Sequence, residues 1–212
     1  MSTNTTSVWR KKLKELEIVV VIPTYNNGKT LAAVIEEVYR YADDIIVIND
    51  GSTDDTANIL EQYPAIRTIT HPVNKGKGTA LKHGLSQAKK EGFRYAITID
   101  SDGQHFASDI PCFIEAIEKE PDTLLVGARN LASDNMPGKN TFANKFSNFW
   151  FRLETGLKLE DTQSGYRLYP LRKMDVQSCW YTAKYEFELE AIVFAAWGDV
   201  VVKNIPIHVY LS

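Results

Sequence analysis

The sequence predicts an α/β fold with a mainly parallel central sheet and helices on both faces. Three observations lead there. Continuous β-branched runs such as Ile18-Val19-Val20-Val21-Ile22 read as strands buried on both faces. Each run gives way to a polar, often glycine-bearing loop and then to apolar residues at helical spacing, so strand, loop and helix alternate. The acids and aromatics suited to chemistry sit in those loops, and in parallel sheets ligands bind at the carboxyl ends of the strands.

In chain order, Trp9 to Leu16 is expected to form a short helix, with residues 1–16 as an extension ahead of the first strand. Leu31, Val34, Ile35 and Val38 recur at helical spacing after the loop Pro23 to Gly28. Ile45 to Ile48 is the second strand, Asn49 to Asp55 a loop and Thr56 to Tyr63 a short helix. Ile66 to Ile69 is a weaker strand, and Asn74-Lys75-Gly76-Lys77-Gly78 opens a helix carrying Leu81, Gly84, Leu85 and Ala88 on one face. Tyr95 to Ile99 leads as a strand into Asp100-Ser101-Asp102-Gly103-Gln104. Ser108-Asp109 starts an amphipathic helix through Ile117, and Leu124 to Gly127 is the next strand, ending in Ala128-Arg129-Asn130. Residues 131–141 read as a loop, followed by a helix carrying Phe142, Phe146, Phe149 and Trp150. Asp161 to Tyr169 is a polar loop entering a short strand, Tyr185 to Trp197 contains a helix, and Val200 to Val209 is extended, with Pro206 confining it to an edge.

Bulk properties narrow the classes. A chain of 212 residues with 44% hydrophobic composition fits one domain with a sizeable core, spanning residues 1–212. A net charge of −3 argues against a nucleic-acid partner. Cys112 and Cys179 lack metal-ligand spacing and suit a reducing compartment, and the sequence shows no secretory signal or long apolar run. The expected location is cytoplasmic, with peripheral contact at the inner face of a membrane if the acceptor is a lipid.

The chemistry centres on Asp100 and Asp102. In an extended backbone they point the same way, roughly 6–7 Å apart, so their carboxylates can converge on one divalent cation. Oxygen ligands without a nearby Cys/His cluster favour Mg²⁺ or Mn²⁺. Asp50 can accept an N–H of a nucleobase and Tyr25 can stack on it, while the cation neutralises a diphosphate. Together these describe a nucleotide diphosphate site, and neither a P-loop nor a dinucleotide fingerprint is present to grip the phosphates.

These residues resemble family 2 glycosyltransferases with the GT-A fold. The resemblance rests on Val21-Ile22-Pro23-Thr24-Tyr25-Asn26, Ile48-Asn49-Asp50-Gly51-Ser52-Thr53-Asp54, Asn74-Lys75-Gly76-Lys77-Gly78 and Asp100-Ser101-Asp102-Gly103-Gln104, in that order. Gly127-Ala128-Arg129 and Asp161-Thr162-Gln163-Ser164-Gly165-Tyr166-Arg167 extend it towards the dolichyl- and polyprenyl-phosphate sugar synthases. It implies that Pro23, Thr24, Tyr25 and Asp50 hold base and ribose, with Lys77 among the substrate-binding residues, and that Asp100, Asp102 and Gln104 hold the metal. Asp161 takes the position of a catalytic carboxylate; Arg129 and Arg167 face diphosphate or acceptor phosphate, with an ion pair to Asp161 as the other reading of Arg167.

The chain departs from the dolichyl-phosphate mannose synthases at Asn27, where they carry an acid, and has only Lys139 or Lys145 for their basic residue before the aromatic helix. The expected reaction is inverting, metal-dependent transfer of a sugar from a nucleotide diphosphate sugar to a polyprenyl phosphate. A hydroxyl of a glycan or glycolipid is the alternative acceptor. A sugar-1-phosphate nucleotidyltransferase and a non-catalytic nucleotide-sugar-binding module are the readings from other classes. His105 is read as a helix-entry residue as readily as a ligand, His83 as a residue sitting on a helix, and Glu188 and Glu190 as loop anchors ahead of catalytic groups.

Overall fold

The computed structural model describes residues 3–129, 162, 164–174 and 186–208. Among these the elements run α1 (Thr3–Glu15), β1 (Ile18–Thr24), α2 (Leu31–Tyr39), β2 (Ile45–Asn49), α3 (Thr56–Glu61), β3 (Arg67–Thr70), α4 (Lys77–Lys90), β4 (Tyr95–Thr98), α5 (Ile110–Lys119), β5 (Leu124–Arg129), β6 (Arg167–Pro170), α6 (Glu186–Trp197) and β7 (Val202–Ile207). The first helix begins at Thr3, earlier than the expected Trp9, because the polar residues ahead of Trp9 continue its turns. The aromatic run Phe142 to Trp150 and the expected loop 131–141 lie outside the described residues.

The strands form one sheet in the order β3-β2-β1-β4-β6-β5-β7. Every described pairing is parallel except those of β6, which runs against both β4 and β5. The edges suit their sequences. At one edge β3 is largely exposed, and at the other β7 carries Pro206, whose missing N–H costs least where no further strand pairs.

Burial of β1 along its whole length explains its β-branched composition. Side chains alternate between two apolar layers, as a two-residue period requires. Ile18, Val20 and Ile22 pack with Leu31, Ile35 and Val38 of α2 and with Phe113, Ile114 and Ile117 of α5. Val19 and Val21 face the other layer, formed with Leu81, Leu85 and Ala88 of α4 and with Phe187, Ala191 and Ile192 of α6. Burying each such side chain is worth about 1.5–3 kcal/mol, whereas an exposed pair such as Lys11–Glu15 contributes roughly 0–1 kcal/mol. The two layers therefore hold the sheet, and the loops at its carboxyl edge are left to build a site.

Candidate active site

The strand register brings distant loops together. Thr24 pairs with Asn49 at the ends of β1 and β2, and the ladder continues as the Asp50 N–H donates to the Thr24 carbonyl at 2.9 Å. On the other side of β1, the Ile99 N–H donates to the Val21 carbonyl at 3.1 Å and the Ser101 hydroxyl to the Pro23 carbonyl at 3.0 Å. Asp50, Thr24-Tyr25 and Asp100-Asp102 thus share one edge.

Side chains then pin the loops to one another. Asn26 has a left-handed backbone (φ 53°); its N–H donates to Ser52 Oγ at 3.0 Å, and its Oδ1 accepts the Thr53 N–H at 2.8 Å. The Gly28 N–H donates to Asp54 Oδ2 at 2.8 Å, and the Thr56 hydroxyl, above all, holds the Asp54 carboxyl below its usual range. Gly51, at φ +71°, lies so close to Val73 that a Cβ would sit 2.4 Å from its carbonyl carbon, which explains a glycine after Asp50. Asn27 Nδ2 donates to Ser101 Oγ at 2.7 Å and the Thr30 hydroxyl to the Ser101 carbonyl at 2.6 Å, so the Asn27 amide braces the Asp100–Asp102 turn.

A cavity of about 640 Å³ opens at this edge. Pro23, Thr24, Tyr25 and Asp50 form one wall; Lys77, Asp100 and Asp102 form the other. Tyr25 is exposed at the wall, as a stacking platform must be. Thr24 is buried and its hydroxyl has no partner among the described residues. Asp50 is 2% exposed: Oδ1 faces His71 Nδ1 at 2.7 Å and accepts the Lys75 N–H at 3.0 Å, and Oδ2 accepts the Gly76 N–H at 2.8 Å. Its carboxylate therefore ties the loop before α4 to β2 as well as lining the cavity.

Lys77 and Asp100 dominate the electrostatics of the opposite wall. The Lys77 ammonium lies 2.7 Å from Asp100 Oδ1 and 2.9 Å from Oδ2, with Glu188 Oε1 at 3.2 Å as an ion-pair contact off the hydrogen-bonding line. Burial opposes the Lys77 charge, but Asp100 and Glu188 outweigh it and the pKa of the ammonium ends raised. Burial likewise raises the Glu188 carboxyl, with Lys77 and Arg167 working the other way. We take Lys77 as charged, since two carboxylates face it.

The antiparallel β6 brings in the last component. Its amino end lies beside the carboxyl end of β4, where Thr98 pairs with Arg167 and the Thr98 hydroxyl donates to the Gly165 carbonyl at 2.8 Å. A Cβ on Gly165 would sit 2.5 Å from Asp100 Oδ2 and 2.9 Å from both Lys77 Nζ and Glu188 Oε1, so a larger residue there would displace these charged groups.

The other expected residues fall as follows. Gln104 is exposed beside the cavity and donates its backbone N–H to Asp102 Oδ1 at 2.9 Å. Arg129 ends β5 in register with Ile207. Asp161 lies outside the described residues. Arg167 is buried, and its guanidinium donates to the carbonyls of Ser164 (2.7 Å), Thr162 (2.9 Å) and Glu188, so it braces this loop and α6. His105 is buried against the Tyr166 ring and His83 is an exposed residue of α4. His71, absent from the sequence-based site, is buried against Asp50; its position directly after an edge strand was the available signal.

Residues 19–176 match the family described as Glycosyl transferase family 2. The chain belongs to that family. It is a glycosyltransferase. Curated relatives of this family 2 glycosyltransferase include the UDP-N-acetylglucosamine–dolichyl-phosphate N-acetylglucosaminyltransferase of Methanococcus voltae, 30% identical over 90% of this chain and 84% of the relative. The polyprenol monophosphomannose synthase of Mycolicibacterium smegmatis is 26% identical over 89% of this chain and 75% of its own length. Among solved structures, the glucosyl-3-phosphoglycerate synthase of Mycobacterium tuberculosis in complex with uridine diphosphate superposes with a TM-score of 0.72 at 20% identity, over 98% of this chain and 76% of that one, and shares the GT-A fold.

Proposed function

We propose that this glycosyltransferase moves a sugar from a nucleotide diphosphate sugar to a polyprenyl phosphate, with inversion at the anomeric carbon and with the help of a divalent cation. The observation that carries the reading is one cavity with an aromatic, hydrogen-bonding wall at Thr24, Tyr25 and Asp50 and a charged wall at Lys77, Asp100 and Asp102. Base and diphosphate ask for those two kinds of wall. The names of the relatives from Methanococcus voltae and Mycolicibacterium smegmatis support a lipid-phosphate acceptor.

The residues fit a hard cation. Asp100 and Asp102 are oxygen donors on the same cavity, Gln104 adjoins them, and the Lys77 contacts mark Asp100 as a carboxylate that takes a positive charge. Mg²⁺ or Mn²⁺ held there would neutralise charge on the leaving diphosphate, and solved GT-A structures that contain Mn²⁺ with UDP-glucose support that choice. Tyr25 stacks on the base, Thr24 offers its hydroxyl, Asp50 accepts a base N–H and Lys77 contacts the diphosphate. Arg129, at the end of β5, is assigned to a phosphate and Asp161 to the acceptor.

A polyprenyl phosphate is ionised near neutral pH and attacks without a general base, so Asp161 then orients the acceptor instead of taking a proton. We assign the whole of residues 1–212 to this one catalytic unit, working at the inner surface of a membrane. No helix among the described residues is long and apolar enough to cross one. The test is incubation with a short-chain polyprenyl phosphate, a panel of nucleotide sugars and Mn²⁺. Nucleoside diphosphate and a glycosyl phosphopolyprenol are expected. Pyrophosphate release, binding without turnover, or transfer only to sugar hydroxyls would each overturn the reading.

A further inference from the structure

Behind the base wall, Asp50, His71 and His83 form a continuous chain to the surface. His71 follows β3, where its N–H donates to the Asn49 carbonyl at 2.9 Å, and it is 4% exposed. Both ring nitrogens are engaged: Nδ1 lies 2.7 Å from Asp50 Oδ1 and Nε2 lies 2.9 Å from Nδ1 of His83, an exposed residue of α4. The two ring planes differ by 10° and their centroids are 5.2 Å apart. The nitrogen-to-nitrogen distance plus the distance from each nitrogen to its own ring centre accounts for that separation. The rings therefore meet edge to edge, through a hydrogen bond, and do not stack.

Facing an ionised carboxylate, His71 Nδ1 carries a proton and donates it. Its Nε2 is then an acceptor when the ring is neutral and a donor when it is cationic, and His83 Nδ1 supplies the complementary role in either state. A proton taken up at the exposed ring is thus relayed to the buried one without movement of heavy atoms. Among the described residues, the charged groups facing the pair are Asp50, from the loop after β2, and Lys75, from the loop before α4. Burial first, then His71 and Lys75, lower the pKa of His83 below its ordinary value.

We infer that His71 is a positioning residue for the donor nucleobase: it aims the Asp50 carboxylate and sets its accepting strength, with His83 as the port through which solvent protons reach it. A neutral His71 leaves the Asp50 charge available to an N–H of the base. An imidazolium 2.7 Å from the same carboxylate oxygen competes for that charge, so donor affinity falls in acid. This inference rests on the assignment of the cavity to a nucleotide sugar.

The test is calorimetric binding of UDP-glucose and of GDP-mannose with Mn²⁺ across pH, since a diphosphate diester does not itself titrate in the range. The parent should bind one of them and lose about fivefold to tenfold in affinity between about pH 7.5 and pH 5.5. His71→Asn keeps an N–H donor near the Nδ1 position and has no second nitrogen to reach His83. It should bind within about threefold of the parent at pH 7.5 and change less than about twofold in acid. His71→Ala, which leaves Asp50 without that donor, should bind about tenfold more weakly at every pH. Binding by the parent with no pH dependence, or an acid loss in His71→Asn equal to the parent's, would overturn the inference while leaving the donor site standing. Failure of the parent to bind either nucleotide sugar would remove the donor site and the inference together.

Discussion

Lys77 holds both carboxylate oxygens of Asp100, at 2.7 Å and 2.9 Å, from the first turn of α4 to the loop after β4. The contact joins the helix that follows one motif to the acid that begins another. Replacing Lys77 with Met leaves Asp100 and the buried Glu188 facing each other without a cation. Removing one partner of a buried ion pair costs about 3–5 kcal/mol, and the partial exposure of Lys77 and Asp100 brings the expected loss below that range, to about 2–3 kcal/mol. Urea unfolding at neutral pH measures it. The loss should shrink in mild acid, because Glu188, already raised by burial, then takes a proton more readily. An unchanged midpoint would show that the contact carries no stability.

Arg167 should behave as a strut. Its guanidinium donates to the carbonyls of Thr162, Ser164 and Glu188. Arg167→Met strands those acceptors in a buried setting, so unfolding stability should fall by about 3 kcal/mol or more. A stable variant with a raised KM for acceptor alone would return Arg167 to the role of phosphate ligand.

Gly165→Ala tests the tight approach of the β6 loop to Asp100. A Cβ there meets Asp100, Lys77 and Glu188 all within 3 Å. Mn²⁺ affinity, measured with nucleoside diphosphate present, should drop by about tenfold or more while the circular dichroism spectrum stays native. Parent-like Mn²⁺ affinity would place the metal away from Asp100.

A pH signature is expected far from the cavity. Asp109 accepts the backbone N–H of His208 at 2.7 Å and faces its Nδ1 at 2.8 Å, and this contact raises the His208 pKa above its ordinary value. A raised folded-state pKa contributes stability that is fully present below the unfolded value, about 6.5, and is lost as pH rises through the folded value. His208→Gln should therefore lower the melting temperature in mild acid and lose its effect once the pH has risen past the raised folded-state pKa. An effect that grows with pH would contradict the pairing.

Much of this architecture is legible in the sequence because single-strand patterns carry it. The β-branched run of β1 announces burial on both faces, and the motifs at Thr24, Asp50 and Asp100 sit at strand ends that parallel pairing must bring together. What escapes is whatever depends on strand order. That β6 enters between β4 and β5 in the opposite direction, placing Gly165 against Asp100, leaves no local trace. The charge of Arg167 is visible in the sequence, and the carbonyls that surround it are not. His71 carries no local signal of its partners for a related reason: Asp50 and His83 come from another loop and from a helix of the chain.

Asp100 and Asp102 are proposed to hold the cation that meets the donor diphosphate. The most direct measurement compares the parent with Asp102→Asn in Mn²⁺-dependent transfer from the preferred nucleotide sugar to a polyprenyl phosphate, with Mn²⁺ binding read in parallel by electron paramagnetic resonance. Loss of one charged ligand from a site with few others should lower turnover by at least about 100-fold and weaken Mn²⁺ binding, with folding intact. Near-normal turnover together with parent-like Mn²⁺ affinity would contradict the account.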